Sequence, residues 1–256
     1  MRVVLTAKEL EKPFVPIEAE VIVPASFMDG EPVSVWKGNR ERPFHEIFDV
    51  EKSGTAETED EIEIVLRGKT GRIKRIGEYM KAGKITVEGD IGMHCGNFME
   101  GGRIEIMGNA DSWLGREMRG GEIIVHGNVG DYCGSGYRGE KRGMRGGRIE
   151  VKGSAGDFLA EHIAGGEVTV HGNAGDMAGV DMHAGKLTIY GDCTRPCGNM
   201  DGGTCYVLGT AHDMLPTFEM KKKPVLHKET NTMLKIFSGD MARRKADGTL
   251  AVRDPR

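Results

Sequence analysis

Several residues of this chain have the types needed to bind a metal or move a proton. Five cysteines, Cys95, Cys133, Cys193, Cys197 and Cys205, could supply thiolates to zinc or an iron–sulfur cluster. Asp131, Asp157 and Asp176 could chelate calcium or act as acid and base, and His126 and His171 could ligate a metal. Six methionines, Met80, Met99, Met118, Met144, Met182 and Met200, offer soft thioethers. Gly134-Ser-Gly136-Tyr-Arg-Gly139 reads as G-x-G-x-x-G, the dinucleotide pattern, and Tyr137, Arg138, Lys141, Arg142 and Arg145 crowd the same stretch.

These candidates sit on a repeat. The pattern G-x-h-x-h-x-G, with h apolar, begins at Gly83, Gly102, Gly121, Gly147, Gly166, Gly185 and Gly203, so the steps are 19, 19, 26, 19, 19 and 18 residues. A weaker copy runs from Ile62 to Gly68. With the first glycine as position zero, position two holds Ile85, Ile104, Ile123, Ile149, Val168, Leu187 and Cys205, and position four holds Val87, Ile106, Val125, Val151, Val170, Ile189 and Val207. Apolar residues at period two make a strand. Position six is Gly89, Gly108, Gly127, Gly153, Gly172, Gly191 and Gly209, read as a corner at positive φ, and small polar residues follow it. No room is left for a crossover helix, so the copies are expected to stack strand over strand, parallel and in register. The expected fold is all-β, a parallel β-helix of seven to eight turns, a column of roughly 35 Å. Position one alternates in sign from Arg103 through Glu122, Arg148 and Glu167 to Lys186, which suits stacked neighbours.

Register then decides what the candidates are. Cys95, Cys133 and Cys197 occupy the slot that holds Leu114, Leu159 and Ala178 in other copies. Cys193 shares its slot with Ile91 and alanines, and Cys205 stands where isoleucine and valine stand. All five read as small core residues. The methionine slot contains Ile163 in one copy, which favours packing over metal ligation. His126 and His171 lie two copies apart, about 9.6 Å by strand spacing, too far for one ion. The aspartate column reads as capping of corner N–H groups. The G-x-G-x-x-G is a corner insertion with no helical pattern after it, so it is not a cofactor site. Its seven extra residues make a protruding loop, either solvated or contacting an anion or a partner through Tyr137, Arg138, Lys141 and Arg142.

Residues 1–60 carry no repeat and read as an N-terminal extension that caps the first turn, residues 61–210 as the repeat domain, and residues 211–256 as a C-terminal tail or cap. The short stretches Ile17–Val23 and Val33–Trp36 look β-like. The basic runs Lys221–Lys223 and Arg243–Lys245 are either solvated or docked on a partner. A formal net charge of −4 gives no reason to expect nucleic acid. No apolar run reaches membrane-spanning length and the start lacks the apolar stretch of a signal peptide, so no membrane and a cytoplasmic location are expected.

The unit G-x-x-M-x-x-G-x-h-x-h-x-G, at Gly77–Gly89, Gly96–Gly108 and Gly115–Gly127 with near copies through Gly209, resembles that of the C subunit of formylmethanofuran dehydrogenase from methanogens. That family is similar in fold to the C-terminal β-helix domain of glutamate synthase, and the likeness favours a right-handed coil. What the resemblance implies is a structural subunit of a complex that reduces CO2 and attaches it to methanofuran as a formyl group, the first step of methanogenesis from CO2. In that family the tungsten or molybdenum pterin, the 4Fe–4S clusters and a dinuclear metal site lie in other subunits. Those partners are amidohydrolase-like, pterin-binding formate-dehydrogenase-like and polyferredoxin subunits. No catalytic, cofactor-binding or metal-ligating residue is then expected in this chain, and the 134–143 loop is left as a contributor to a methanofuran channel. Two other readings stay open: a stand-alone glutamate-synthase-type module, and an autonomous β-helix carbohydrate-active enzyme using the aspartate column.

Overall fold

A computed structural model describes residues 1–9, 14–221, 223–244 and 246–253. Lys222 and Lys245, within the two basic runs, lie outside the described residues. The chain is almost wholly β, with one short α-helix at Phe44–Ile47 among the described residues. Its main sheet has fourteen strands. Strands Lys84–Val87, Arg103–Ile106, Glu122–Val125, Arg145–Val151, Ala164–Val170, Ala184–Ile189 and Thr204–Val207 come from the seven repeat copies and pair in parallel, each with the next.

The pairing sets like residues on like. Ile64, Ile85, Ile104, Ile123, Ile149, Val168, Leu187 and Cys205 form one row, and Leu66, Val87, Ile106, Val125, Val151, Val170, Ile189 and Val207 a second. All sixteen side chains are at 0% exposure, so each pair of neighbouring copies seals the same two apolar rows. A second line of parallel bridges links Ile91, Ala110, Val129, Ala155 and Ala174. A third line is made by the N–H groups of Gly96, Gly115, Gly134, Ala160, Gly179 and Cys197, which donate at 2.7–2.8 Å to the carbonyls of Ile76, Cys95, Leu114, Cys133, Leu159 and Ala178. Successive copies therefore touch along three lines around one interior.

The ladder continues beyond residues 61 and 210. Arg2–Ala7 pairs in parallel with Glu63–Gly68, placing Val3 on Ile64 and Leu5 on Leu66. Thr249–Arg253 pairs in parallel with Thr204–Val207, placing Leu250 on Cys205 and Val252 on Val207. Antiparallel strands close both ends: Phe48–Ser53 on the first and Thr232–Ser238 on the last. The outermost strands of the sheet are then Phe48–Ser53 at one side and Glu219–Met220 at the other, and the edges of the parallel ladder are covered. Of the two β-like N-terminal stretches, Ile17–Glu18 and Ser34–Lys37 form strands, in a small sheet that continues through Ile73–Lys74.

The glycines work differently from the sequence reading. The left-handed corner is at position zero, where Gly83, Gly102, Gly121, Gly147, Gly166, Gly185 and Gly203 have φ between +76° and +84°. None of the position-six glycines has positive φ. They are needed because adjacent copies meet backbone to backbone: a Cβ on Gly127 would lie 2.6 Å from the Gly108 carbonyl oxygen, and one on Gly153 2.6 Å from that of Gly127. Methionine belongs to the same arrangement. A Cβ on Gly102, Gly121, Gly147, Gly166 or Gly203 would strike the methyl of Met80, Met99, Met118, Met144 or Met182, at 2.5–2.8 Å. Each methionine thus reaches under the next copy and fills the space its glycine leaves. An unbranched thioether can make that reach, and Ile163 does not contact Gly185 in this way.

Outside the stack, polar side chains bind copy to copy. The residue after position six accepts the backbone N–H of its counterpart in the next copy. Asp90 takes Asn109 at 2.7 Å, Asn109 takes Asn128 at 2.8 Å, Asn128 takes Ser154 at 2.8 Å and Asn173 takes Asp192 at 2.9 Å. In the charge column Glu122 pairs with Arg103 below and Arg148 above, and Lys186 pairs with Glu167 at 2.8 Å. Lys84 and Arg103 are like neighbours, and Glu105 reaches both, at 4.0 and 3.6 Å.

The close-approach account separates two glycines of the same slot. Gly127→Ala is expected to destabilise the chain by about 1–3 kcal/mol, the usual result of overpacking. Gly89→Ala, whose Cβ would meet only Thr70 Oγ1 at 3.4 Å, is expected to lose less than half as much. Thermal unfolding followed by circular dichroism measures both, and equal losses contradict the account.

Candidate functional surface

The cysteines are interior. Cys95, Cys133, Cys193, Cys197 and Cys205 are free thiols at 0–2% exposure. Burial pushes the Cys95 and Cys133 thiols up to about 12, and also raises Cys193. Cys205 is raised by its hydrogen bond with Cys197 and then by burial. The methionines of the repeat are equally enclosed, at 0–1% exposure. The aspartate column is spent on backbone groups: Asp131 accepts the Asp157 N–H at 2.9 Å, Asp157 accepts the Asp176 N–H at 2.7 Å, and Asp176 pairs with Arg195. His126 and His171 stay apart, bonded to Glu105 at 3.0 Å and Glu150 at 2.9 Å.

A feature absent from the sequence reading is a pair of columns in the left-handed conformation. Arg75, His94, Trp113, Tyr132, Phe158 and Met177 occupy one slot at φ between 57° and 67°. Bulky residues seldom adopt this conformation, so stacking must offset its strain. Trp113 lies 4.3 Å from Tyr132 at an interplanar angle of 4°, Tyr132 lies 5.0 Å from Phe158 at 4°, and His94 lies 6.2 Å from Trp113 at 20°. The second column occupies the slot before the methionines, at Tyr79, Phe98, Glu117, His162 and Asp181, with Tyr79 and Phe98 stacked at 4.8 Å. The signal was in the sequence, since His94, Trp113, Tyr132 and Phe158 share a register. Their differing ring types concealed it.

The insertion lies over these columns. Gly143 N–H donates to the His162 carbonyl at 2.7 Å, and the Lys141 carbonyl lies 3.1 Å from His183 Nε2. His183 Nδ1 faces Asp201 at 2.8 Å. Tyr137, 47% exposed, sets its ring 5.3 Å from Trp113 and 4.7 Å from the Arg116 guanidinium. Arg138, Lys141 and Arg142 are exposed and form no ion pair among the described residues, whereas Arg145 lies 3.8 Å from Glu117. Of the loop residues singled out by sequence, the structure brings Tyr137 to the aromatic columns and leaves the three cations outward.

Beneath Tyr137 is a cleft of about 430 Å³, walled by Glu18, Lys74, Arg75, Glu78, His94, Asn97 and Arg116. Burial first, and then the charges of Arg116, Lys74 and Arg75, together lower the His94 pKa to about 4. The imidazole is therefore neutral near pH 7. Asn97 Nδ2 lies 3.1 Å from His94 Nδ1, so Nδ1 accepts and the proton sits on Nε2.

No protein-family model matches the chain. Among curated proteins it is 51% identical over 252 residues to the C subunit of the tungsten-containing formylmethanofuran dehydrogenase 2 of Methanococcus maripaludis, covering 92% of this chain and 91% of that one. The chain belongs to the family of formylmethanofuran dehydrogenase C subunits. A local match, 42% identical over 83 residues, links 30% of the chain to 27% of the C subunit of the molybdenum-containing formylmethanofuran dehydrogenase 1 of Methanosarcina barkeri. Among solved structures, a chain of the formyltransferase/hydrolase complex (FhcABCD) from Methylorubrum extorquens, crystallised in complex with methylofuran, superposes with a TM-score of 0.86. It is 24% identical and the match covers 98% of this chain and all of that one, which establishes likeness of fold. Among the described residues of this family member, no helix is long and apolar enough to cross a membrane.

The thiols give a pH prediction. A thiol whose folded pKa is raised favours the protonated folded state, so its contribution is complete below the unfolded value near 9. Stability is expected to fall as pH rises from about 9 towards 12. Cys133→Ala is expected to flatten that fall while lowering stability at pH 7. Urea midpoints measured from pH 7 to 11 test this, and an unchanged slope in the variant refutes it.

Proposed function

We propose that the chain is a non-catalytic structural subunit of a formylmethanofuran dehydrogenase complex, which reduces CO2 and attaches it to methanofuran as N-formylmethanofuran. Membership of the family supplies the complex. The observation that carries the structural role is where the polar side chains go. The small polar column, the aspartate column and the charged ladder are joined from copy to copy, so most of the groups that could serve turnover instead hold the stack together.

The stack itself is a right-handed parallel β-helix, in keeping with the three lines of parallel contact and the family's fold. The tungsten or molybdenum pterin, the 4Fe–4S clusters and the dinuclear metal site belong to partner subunits of pterin-binding formate-dehydrogenase-like, polyferredoxin and amidohydrolase-like kinds, in the cytoplasm. Cys95 and Cys133 do not fit an iron–sulfur cluster. Cys95 and Cys133 lie two copies apart in the interior, and burial holds both thiols protonated. An autonomous carbohydrate-active enzyme would need free carboxylates, whereas Asp131 and Asp157 each receive a backbone N–H.

Purified alone, the chain is expected to fold, to retain no tungsten, molybdenum or iron by elemental analysis, and to show no formate oxidation. Co-produced with the other subunits, it is expected to elute with them. Stoichiometric metal retained by the isolated chain through chelation, or elution apart from the assembled complex, overturns the reading.

A further inference from the structure

The wall of the cleft beneath Tyr137 contains a cation with no counter-ion. Arg116 packs against two rings, its guanidinium carbon 4.6 Å from the Phe98 centroid and 4.7 Å from the Tyr137 centroid. The neighbouring cations are already compensated: Lys74 lies 3.9 Å from Glu18, and Arg75 contacts Glu78 and lies 3.7 Å from Glu20. Glu117, next in sequence to Arg116, is drawn to Arg145. Arg116 forms no ion pair among the described residues, and its Nε is buried without a partner.

We propose that this cleft binds a carboxylate, with the edge of the Arg116 guanidinium as its counter-charge and the Phe98 and Tyr137 rings as the jaws that fix the plane. A guanidinium edge matches the two oxygens of a carboxylate in fork geometry. Arg116 is the cation of this wall that no carboxylate pairs among the described residues, and the two oxygens of a single carboxylate suit its fork. The neutral His94 adds an uncharged donor at Nε2–H and introduces no competing cation. The assignment also gives the insertion a purpose. One jaw, Tyr137, comes from the seven added residues between Gly121 and Gly147, while Phe98 and Arg116 come from unlengthened copies. The inference goes beyond the structural role and stands independently of it.

Trp113 provides the readout, because it stacks on His94 and contacts Tyr137, and Trp36 is the chain's other tryptophan. In the full chain carrying Trp36→Phe, sodium acetate and sodium succinate are titrated against sodium chloride at equal ionic strength. A saturable fluorescence change with the carboxylates alone is expected. Arg116→Gln is expected to weaken it at least tenfold, and Lys152→Ala, which removes an equal charge elsewhere on the stack, to leave it within twofold. If Arg116→Gln fails to fold, Tyr137→Ala takes its place, and succinate is then expected to raise the thermal midpoint of the parent chain and not of the variant. No saturable change, or a response in the Arg116 or Tyr137 variant equal to that of the parent, overturns the proposal.

The source of the carboxylate is separated in the assembled complex by phenylglyoxal modification of Arg116 read by mass spectrometry. Protection that appears on adding succinate assigns a diffusible carboxylate, and protection without any addition assigns an acidic side chain of a partner. Modification that succinate does not slow, in a complex where Arg116 stays open, removes the site.

Discussion

The distance at which one copy of the repeat meets the next governs this molecule. At position zero, at position six from Gly108 onward, and at Gly101, Gly120, Gly146, Gly165 and Gly202 just before position zero, neighbouring copies come so close that a Cβ would fall 2.0–2.8 Å from an atom of the adjacent copy. That approach sets the short carbonyl-to-amide bonds along the stack and fixes the register in which isoleucine covers isoleucine. Glycine is demanded at several points of every copy. In return the apolar rows meet without gaps, closed by methionines that reach into the next layer.

Because each copy touches only its neighbours, a change in length is tolerated only where it leaves those contacts intact. The step of 26 residues shows how this is done. Its seven extra residues leave the ladder at Gly134 and rejoin it at Gly143, while Glu122 still pairs with Arg148 and Ile123 with Ile149. The same logic holds at the ends, where strands without the full glycine frame extend the rows and antiparallel strands then stop them.

The parts of the fold visible in the sequence were those that recur. Period two, the shared slots of cysteine with leucine and alanine, and the alternating charges at position one all repeat, and repetition turns a weak preference into a register. Glycine was visible but its reason was not, because freedom at positive φ and need for space leave the same letter. Arg2–Ala7 and Thr249–Arg253 escaped for the opposite cause. They bear the apolar alternation, Val3 with Leu5 and Leu250 with Val252, but Arg2–Ala7 has no flanking glycine and Thr249–Arg253 has only Gly248 before it, with no glycine at position six. The cleft was less visible still. Its parts come from residues 18 to 137, and only stacking brings Arg116 between Phe98 and Tyr137.

A stack built this way confines specific binding to its outer surface. The interior rows are nearly the same from copy to copy, so they cannot distinguish one place from another. The outward polar columns are likewise regular and already bonded. Individuality needs a residue that breaks the pattern without breaking the register, and the left-handed slots allow it. Their side chains project from corners, and they hold arginine, histidine, tryptophan, tyrosine or phenylalanine without disturbing the ladder. Stacking between successive rings, as for Trp113 on Tyr132, returns part of the strain of that conformation and keeps the rings parallel. The insertion then adds a ring that no regular copy could place. One face of an otherwise repetitive column thereby becomes unlike the rest, and it is there that Arg116 packs against two rings with no ion pair among the described residues.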